Sequence, residues 1–129
     1  MKLSLESTAS HYVVASYAPG QIVVNQEVFT SSLVIMPTLL VRDWPPQTFT
    51  ELAAEHFALL ARHPITVLLL GTGEKLQFPR RELVRPLEER GIGVEVMDTG
   101  AACRTYGVLA SEGRQVAAAL LIPNYLSRK

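Results

Sequence analysis

The spacing of apolar residues changes character around Trp44–Pro46 and divides the chain in two. Before it, apolar residues come in short runs. His11 to Tyr17, Gln21 to Phe29, Ser32 to Met36 and Leu39 to Val41 are rich in Val, Ile, Leu, Tyr and Phe. Runs of that length and composition predict strands, and Pro19–Gly20 between the first two predicts a turn. Pro37 has no amide to give a sheet ladder, so the third run either lies at a sheet edge or stops there. Trp44–Pro45–Pro46 reads as a stiff, extended connector, because a proline biases the residue before it away from helix.

Beyond the connector, helical and strand periods alternate. Ala53, His56, Phe57 and Leu60 recur three and four apart, predicting a helix from Thr48 to Arg62 with one buried stripe. Thr48 and Glu51 have the spacing of a capping box, and Pro64 closes the helix. Ile65 to Leu70 is aliphatic apart from Thr66 and does not alternate, as expected of a central parallel strand covered on both faces. A second helix is predicted from about Pro79 to Arg90, with Gly91 as its stop and Pro86 kinking or splitting it. Gly93 to Met97 is the next strand, Asp98 to Glu112 a third helix ended by Gly113, and Gln115 to Ile122 the last strand.

This order predicts an α/β domain in which Ile65–Leu70, Gly93–Met97 and Gln115–Ile122 share a central sheet. The helices from Thr48 and Asp98 are expected to pack on it. At 129 residues the chain fits a single domain, residues 1–129, with one core.

Composition narrows the class. The chain is 48% hydrophobic, yet no aliphatic run in it, Ile65 to Leu70 included, comes near the roughly 20 residues a spanning helix needs. The first twenty residues hold one Lys and then a polar stretch, without the apolar segment of a secretory signal, so a cytoplasmic protein is expected. Twelve basic residues cancel twelve acidic ones, and no basic run exceeds Arg80–Arg81. Nucleic acid is therefore not an expected partner, since phosphate neutralisation supplies most of such affinity. One cysteine excludes an internal disulfide and fits a reducing compartment.

Candidate chemistry gathers at two strand-to-loop transitions, where open sheets place their sites. Gly71–Thr72–Gly73 ends the aliphatic strand. Neither GxxxxGK[ST] nor GxGxxG is present, because Glu74, Lys75 and Leu76 follow Gly73. The glycines serve either a tight turn or a ligand loop. Asp98–Thr99–Gly100 ends one strand and starts a helix, so Asp98 or Thr99 is an N-cap and the free amides there can hold an anion. The same triplet occurs in aspartic proteases, but the paired second copy is missing. Cys103 reads as a buried thiol, with none of His11, His56 or His63 tied to it as a base. Arg104 can reach an anion near the helix start or pair with Asp98 or Glu112. There is no CxxC, HxxxH, HExxH or GxSxG. No catalytic residue, metal ligand or cofactor is assigned. The candidate binding residues are Gly71, Thr72, Gly73, Asp98, Thr99 and Arg104, placed for an anionic group whose amide donors the Asp98 carboxylate would contest.

The stretches LLLGTGEKLQFP and GIGVEVMDTGAACRTYGVLASEGRQVAAALL, with the earlier SLVIMP and VRDW, resemble the family of mitochondrial complex I assembly factor 3 and its small bacterial and archaeal relatives. The matching signature positions are Gly71, Thr72, Gly73, Asp98, Thr99, Ala102, Arg104, Thr105, Tyr106, Glu112, Gly113 and Arg114. Gly107 departs from the pattern, which places Asn after the Thr–Tyr pair. The resemblance implies a three-layer α/β domain with a mixed central sheet, helices on it and an additional N-terminal β layer. For the mitochondrial members it implies an assembly role beside a second assembly factor, on a membrane-bound respiratory complex. The expected function is a non-enzymatic interaction or assembly-factor-type protein whose partner is another protein, such as membrane-associated complex subunits or an assembly factor. Homo-oligomerisation stays open. The alternative is a small-molecule or anion-binding protein, or an enzyme, using the crevice between Gly71–Gly73 and Asp98–Ala101.

Overall fold

The computed structural model describes residues 11–123. The polar stretch before residue 11 lies outside them. Strands β1 (Val14–Ala18), β2 (Gln21–Val24) and β3 (Glu27–Phe29) form an antiparallel sheet in that order. Pro19–Gly20 joins β1 to β2, and Gly20 takes the positive φ of 81° that the turn requires. The run from Gln21 to Phe29 is a hairpin rather than one strand. Asn25 turns it with a φ of 54°, and its side-chain carbonyl accepts the Val13 amide at 2.8 Å.

A second, mixed sheet contains β4 (Leu33–Met36), β5 (Leu39–Val41), β6 (Val67–Gly71), β7 (Gly93–Met97) and β8 (Val116–Leu120), in the order β5-β4-β8-β6-β7. β6 runs parallel to β7 and β8, while β4 runs antiparallel to β5 and β8. The three strands expected to share a sheet do so. β4 is interior, and it stops at Met36, immediately before Pro37.

Helices cover both faces. α1 (Ala54–Leu60) and α2 (Arg81–Glu88) place Phe57, Leu60 and Leu87 against Leu68, Leu70, Ala117 and Ala119. On the other face α3 (Thr99–Ser111) and the three-stranded sheet meet Leu69, Ala118 and Leu120 with Ala102, Cys103, Tyr106, Ile22 and Val24. The continuous apolar run of β6 follows from this arrangement, since Leu68, Leu69 and Leu70 are all fully buried. The result is the three-layer architecture with an added N-terminal β layer.

Two helices differ from their sequence expectation. The segment from Thr48 makes a 3-10 turn at Phe49–Glu51, then Leu52 becomes extended and buried, and α1 begins only at Ala54. Sending Leu52 into the core requires the backbone to leave the helix. The Thr48 side chain makes no cap, whereas Glu51 does reach back, accepting the Gln47 amide at 2.7 Å. At α1 itself the His56 Nδ1 accepts the Ala53 amide at 3.0 Å. α2 starts at Arg81, beyond Pro79, and Pro86 does not divide it. The amide that Pro86 lacks would have bonded the Glu82 carbonyl. Glu82 is exposed, so water can take that partner's place.

Candidate functional site

β6 leads to α2 on one face of the sheet, and β7 leads to α3 on the other. The chain therefore diverges above the carboxyl ends of two neighbouring strands, the position where such sheets form a crevice. Gly71, Thr72, Gly73, Asp98 and Thr99 meet there. The Thr72 amide donates to the Met97 carbonyl at 2.9 Å, and the Thr99 amide to the Gly73 carbonyl at 2.8 Å. The Thr99 hydroxyl accepts the Gly73 amide and donates to the Leu121 carbonyl, both at 2.8 Å. These bonds draw the walls together. A Cβ at Gly71 would lie 3.0 Å from the Thr99 Cα, and Gly73 holds a φ of 100°.

Asp98 caps α3 by accepting the Ala101 amide at 2.8 Å. Arg104 lies one turn on and is exposed. It forms no ion pair with Asp98 or Glu112, because Arg42–Glu27 is the one ion pair among the described residues. Instead its guanidinium sits beside Gly100, whose other neighbour is the Tyr17 ring. Burial, followed by the nearby Glu74, Cys103 and Asp98, pushes the Tyr17 phenol up, against the opposing pull of Arg104. Cys103 faces the core, and burial raises its thiol to about 12, which keeps it protonated at neutral pH. Among the described residues no three His, Cys, Asp or Glu side chains cluster to hold a metal.

The loop that follows Gly73 carries residues that motif reading passed over. The Thr72 hydroxyl donates to the Lys75 carbonyl at 2.6 Å and accepts the Gln77 amide at 3.2 Å. With its base pinned, the loop turns Leu76 and Phe78 outward, 51% and 71% exposed. The signal was present as two apolar residues inside the polar stretch GEKLQFP, but no motif template contains it.

A cavity of about 820 Å³ opens at the opposite end of the sheet. It lies between the amino ends of β6 and β8, the β4–β5 turn and the later half of α3, and none of the six predicted binding residues lines it. Gly107 does, so the departure from the signature affects this end of the molecule and not the crevice loops.

The comparisons with known proteins agree with this architecture. The sequence pattern of the family described as "Protein of unknown function (DUF498/DUF598)" matches residues 14–121. The chain belongs to this family. Among its relatives, the NADH dehydrogenase [ubiquinone] 1 alpha subcomplex assembly factor 3 of Danio rerio is 38% identical over 119 residues, covering 90% of this chain and 67% of the relative. The chain thus spans about two thirds of that assembly factor's length. A "13 kDa major membrane protein" of Francisella tularensis is 24% identical, over 94% of this chain and 99% of its own. The crystal structure of a Bordetella parapertussis protein superposes with a TM-score of 0.83 at 40% identity, covering 88% of this chain and 97% of that one. Among the described residues no helix is long and apolar enough to cross a membrane.

Proposed function

We propose that this protein is a non-enzymatic assembly-type protein that docks onto another protein through the carboxyl end of its central sheet. The observation that carries the reading is the Thr72-pinned loop, which holds Leu76 and Phe78 out of the core at 51% and 71% exposure. A fixed apolar tip with charged neighbours Glu74 and Lys75 has the character of a contact surface: an anchor to bury and a polar rim. The family relation to complex I assembly factor 3 supports a partner of the same kind, a membrane-associated respiratory-complex subunit or a second assembly factor met from the cytoplasm. The crevice residues fit this role as scaffold, because Thr72, Gly73 and Thr99 spend their hydrogen bonds on holding the base of the loop, while Asp98 caps α3.

A photo-crosslinking residue at position 78, introduced in the native cell, tests the reading. Cross-links to one defined protein, weakened when Leu76→Ser is added to the same chain, are expected. No cross-link above that of a buried control position would overturn it. One observation favours a second reading. Arg104, left without an ion pair to Asp98 or Glu112, stands beside the α3 start and could hold a small anion that displaces Asp98 from the Ala101 amide. Amide shifts of Gly100 to Arg104 during phosphate titration would support that reading, and their absence at millimolar phosphate would dismiss it.

A further inference from the structure

The cavity at the amino end of β6 and β8 is separate from the crevice and has its own chemistry. Its deep wall is made by Met36, Ile65, Tyr106 and Val116, all buried. Its more exposed lining includes His11, His63 and Arg114, and no Asp or Glu side chain is among the described residues that line it. Apolar depth with a basic, acid-free rim is complementary to a molecule with a hydrocarbon body and one anionic end. The volume, about 820 Å³, falls within the range of small-molecule sites, roughly 300–1,000 Å³.

The cavity is also held open by the fold. The Tyr12 amide donates to the Pro37 carbonyl at 2.9 Å, and the Tyr12 carbonyl accepts the Tyr106 hydroxyl at 2.9 Å. One residue thereby ties the N-terminal layer to the β4–β5 turn and to α3, three of the elements around the space. A site fixed before binding spares the ligand the cost of ordering it. Gly107 widens it further: a Cβ built there meets nothing within 4 Å, so the helix presents bare backbone where another residue would project a side chain.

We propose that this cavity binds an amphipathic monocarboxylate, its acyl or aryl body against Met36, Ile65, Tyr106 and Val116 and its carboxylate at Arg114 with the two histidines. The site is independent of the docking loop, since it lies at the other end of the strands.

The test is an amide-shift titration of the full chain by NMR with sodium decanoate below its micelle concentration, compared with decan-1-ol and sodium acetate. Decanoate is expected to shift Tyr12, Thr38, Gly107 and Gln115 with sub-millimolar affinity, decan-1-ol to bind at least ~10-fold more weakly, and acetate to shift nothing. Arg114→Gln, at an exposed side chain, should bring decanoate down to the level of the alcohol. Gly107→Leu should fill the space and abolish both. No shift in the cavity at millimolar decanoate would overturn the proposal. Equal binding of acid and alcohol would overturn its anionic part. Shifts at the same residues on dilution alone, without ligand, would show the cavity to be a contact between copies of the chain and would equally overturn it. The loop cross-link at position 78 is untouched by any of these outcomes, so the two proposals fail separately.

Discussion

Thr99 and Gly73 hold each other by a reciprocal pair of hydrogen bonds. The Thr99 amide donates to the Gly73 carbonyl, and the Gly73 amide donates to the Thr99 hydroxyl, each at 2.8 Å. Because the same hydroxyl also donates to Leu121, one buried side chain joins the ends of β6 and β8 to the start of α3. The two walls of the crevice are thus tied to each other and to the end of β8.

Removing that hydroxyl leaves a buried amide and a buried carbonyl without a partner. Thr99→Val keeps the shape and is expected to lower stability by ~2–6 kcal/mol, taking ~1–3 kcal/mol for each unpaired group. Thr99→Ser should recover most of the loss. Urea denaturation of the three proteins, with unchanged slopes, checks this.

Glycines in this chain should respond to alanine with opposite signs. At Gly71 the new methyl would sit 3.0 Å from the Thr99 Cα, which is backbone and cannot rotate away. A loss of ~1–3 kcal/mol is expected there. Gly107 is exposed and inside α3, with open space at its Cβ position, so Gly107→Ala should gain ~0.5–1 kcal/mol from helix propensity. Thermal melts of both variants decide the matter, and a loss at Gly107 would contradict the open geometry.

Alkaline pH should expose the Cys103 thiol. Its pKa rises on folding from an ordinary value of 9.0 to about 12, so the folded state binds the proton more tightly than the unfolded chain. The contribution is fully present below the unfolded value, declines as pH rises past it, and is lost by about 12. Between pH 9 and 10 the share of the slope due to Cys103 should approach, and not exceed, ~1.4 kcal/mol per pH unit, and the Tyr106 phenol, also pushed up by burial, adds to it as pH nears 10. Cys103→Ala should remove the Cys103 share and leave that of the tyrosine. Thiol labelling of the native protein at pH 8 should track global unfolding.

Ser32 offers a case with the reverse expectation. Its Oγ is buried without a hydrogen-bond partner, although its amide donates to the Gln47 side chain at 3.0 Å and its carbonyl accepts the Trp44 amide at 3.3 Å. Ser32→Ala keeps both backbone bonds and removes the orphaned oxygen. Stability should stay level or rise by up to ~1 kcal/mol. A clear loss in denaturant titration would mean that the hydroxyl has a partner in solution.

What could be read from the residues was whatever local pattern dictates. Val67–Leu70 is aliphatic because it is covered twice, and Asp98 caps because it follows a strand and precedes a helix. The meeting of the Gly71–Gly73 and Asp98–Thr99 loops was legible for the same reason, as both follow strand ends. Long-range demands were invisible. Nothing near Leu52 announces that the core needs it more than the helix does, and Pro79 is a good first helical residue that the chain leaves in the preceding loop. The cavity escaped altogether because residues from four distant stretches build it, none with a motif of its own.

Ala117, Ala118 and Ala119 occupy the middle of β8, flanked by β4 and β6 and without exposure on either face. Methyl groups there set how closely both outer layers approach the sheet. Enlarging any one of them would push against a neighbour on its own face, and the chain has no slack to give, since strands hydrogen-bond it on both sides. The lineage of this protein therefore has a one-sided path of drift through β8: residues can shrink at the cost of a small void, but they can grow only if a partner across the layer shrinks in the same step. Paired exchanges of that kind, rather than single ones, are what the history of this strand should record.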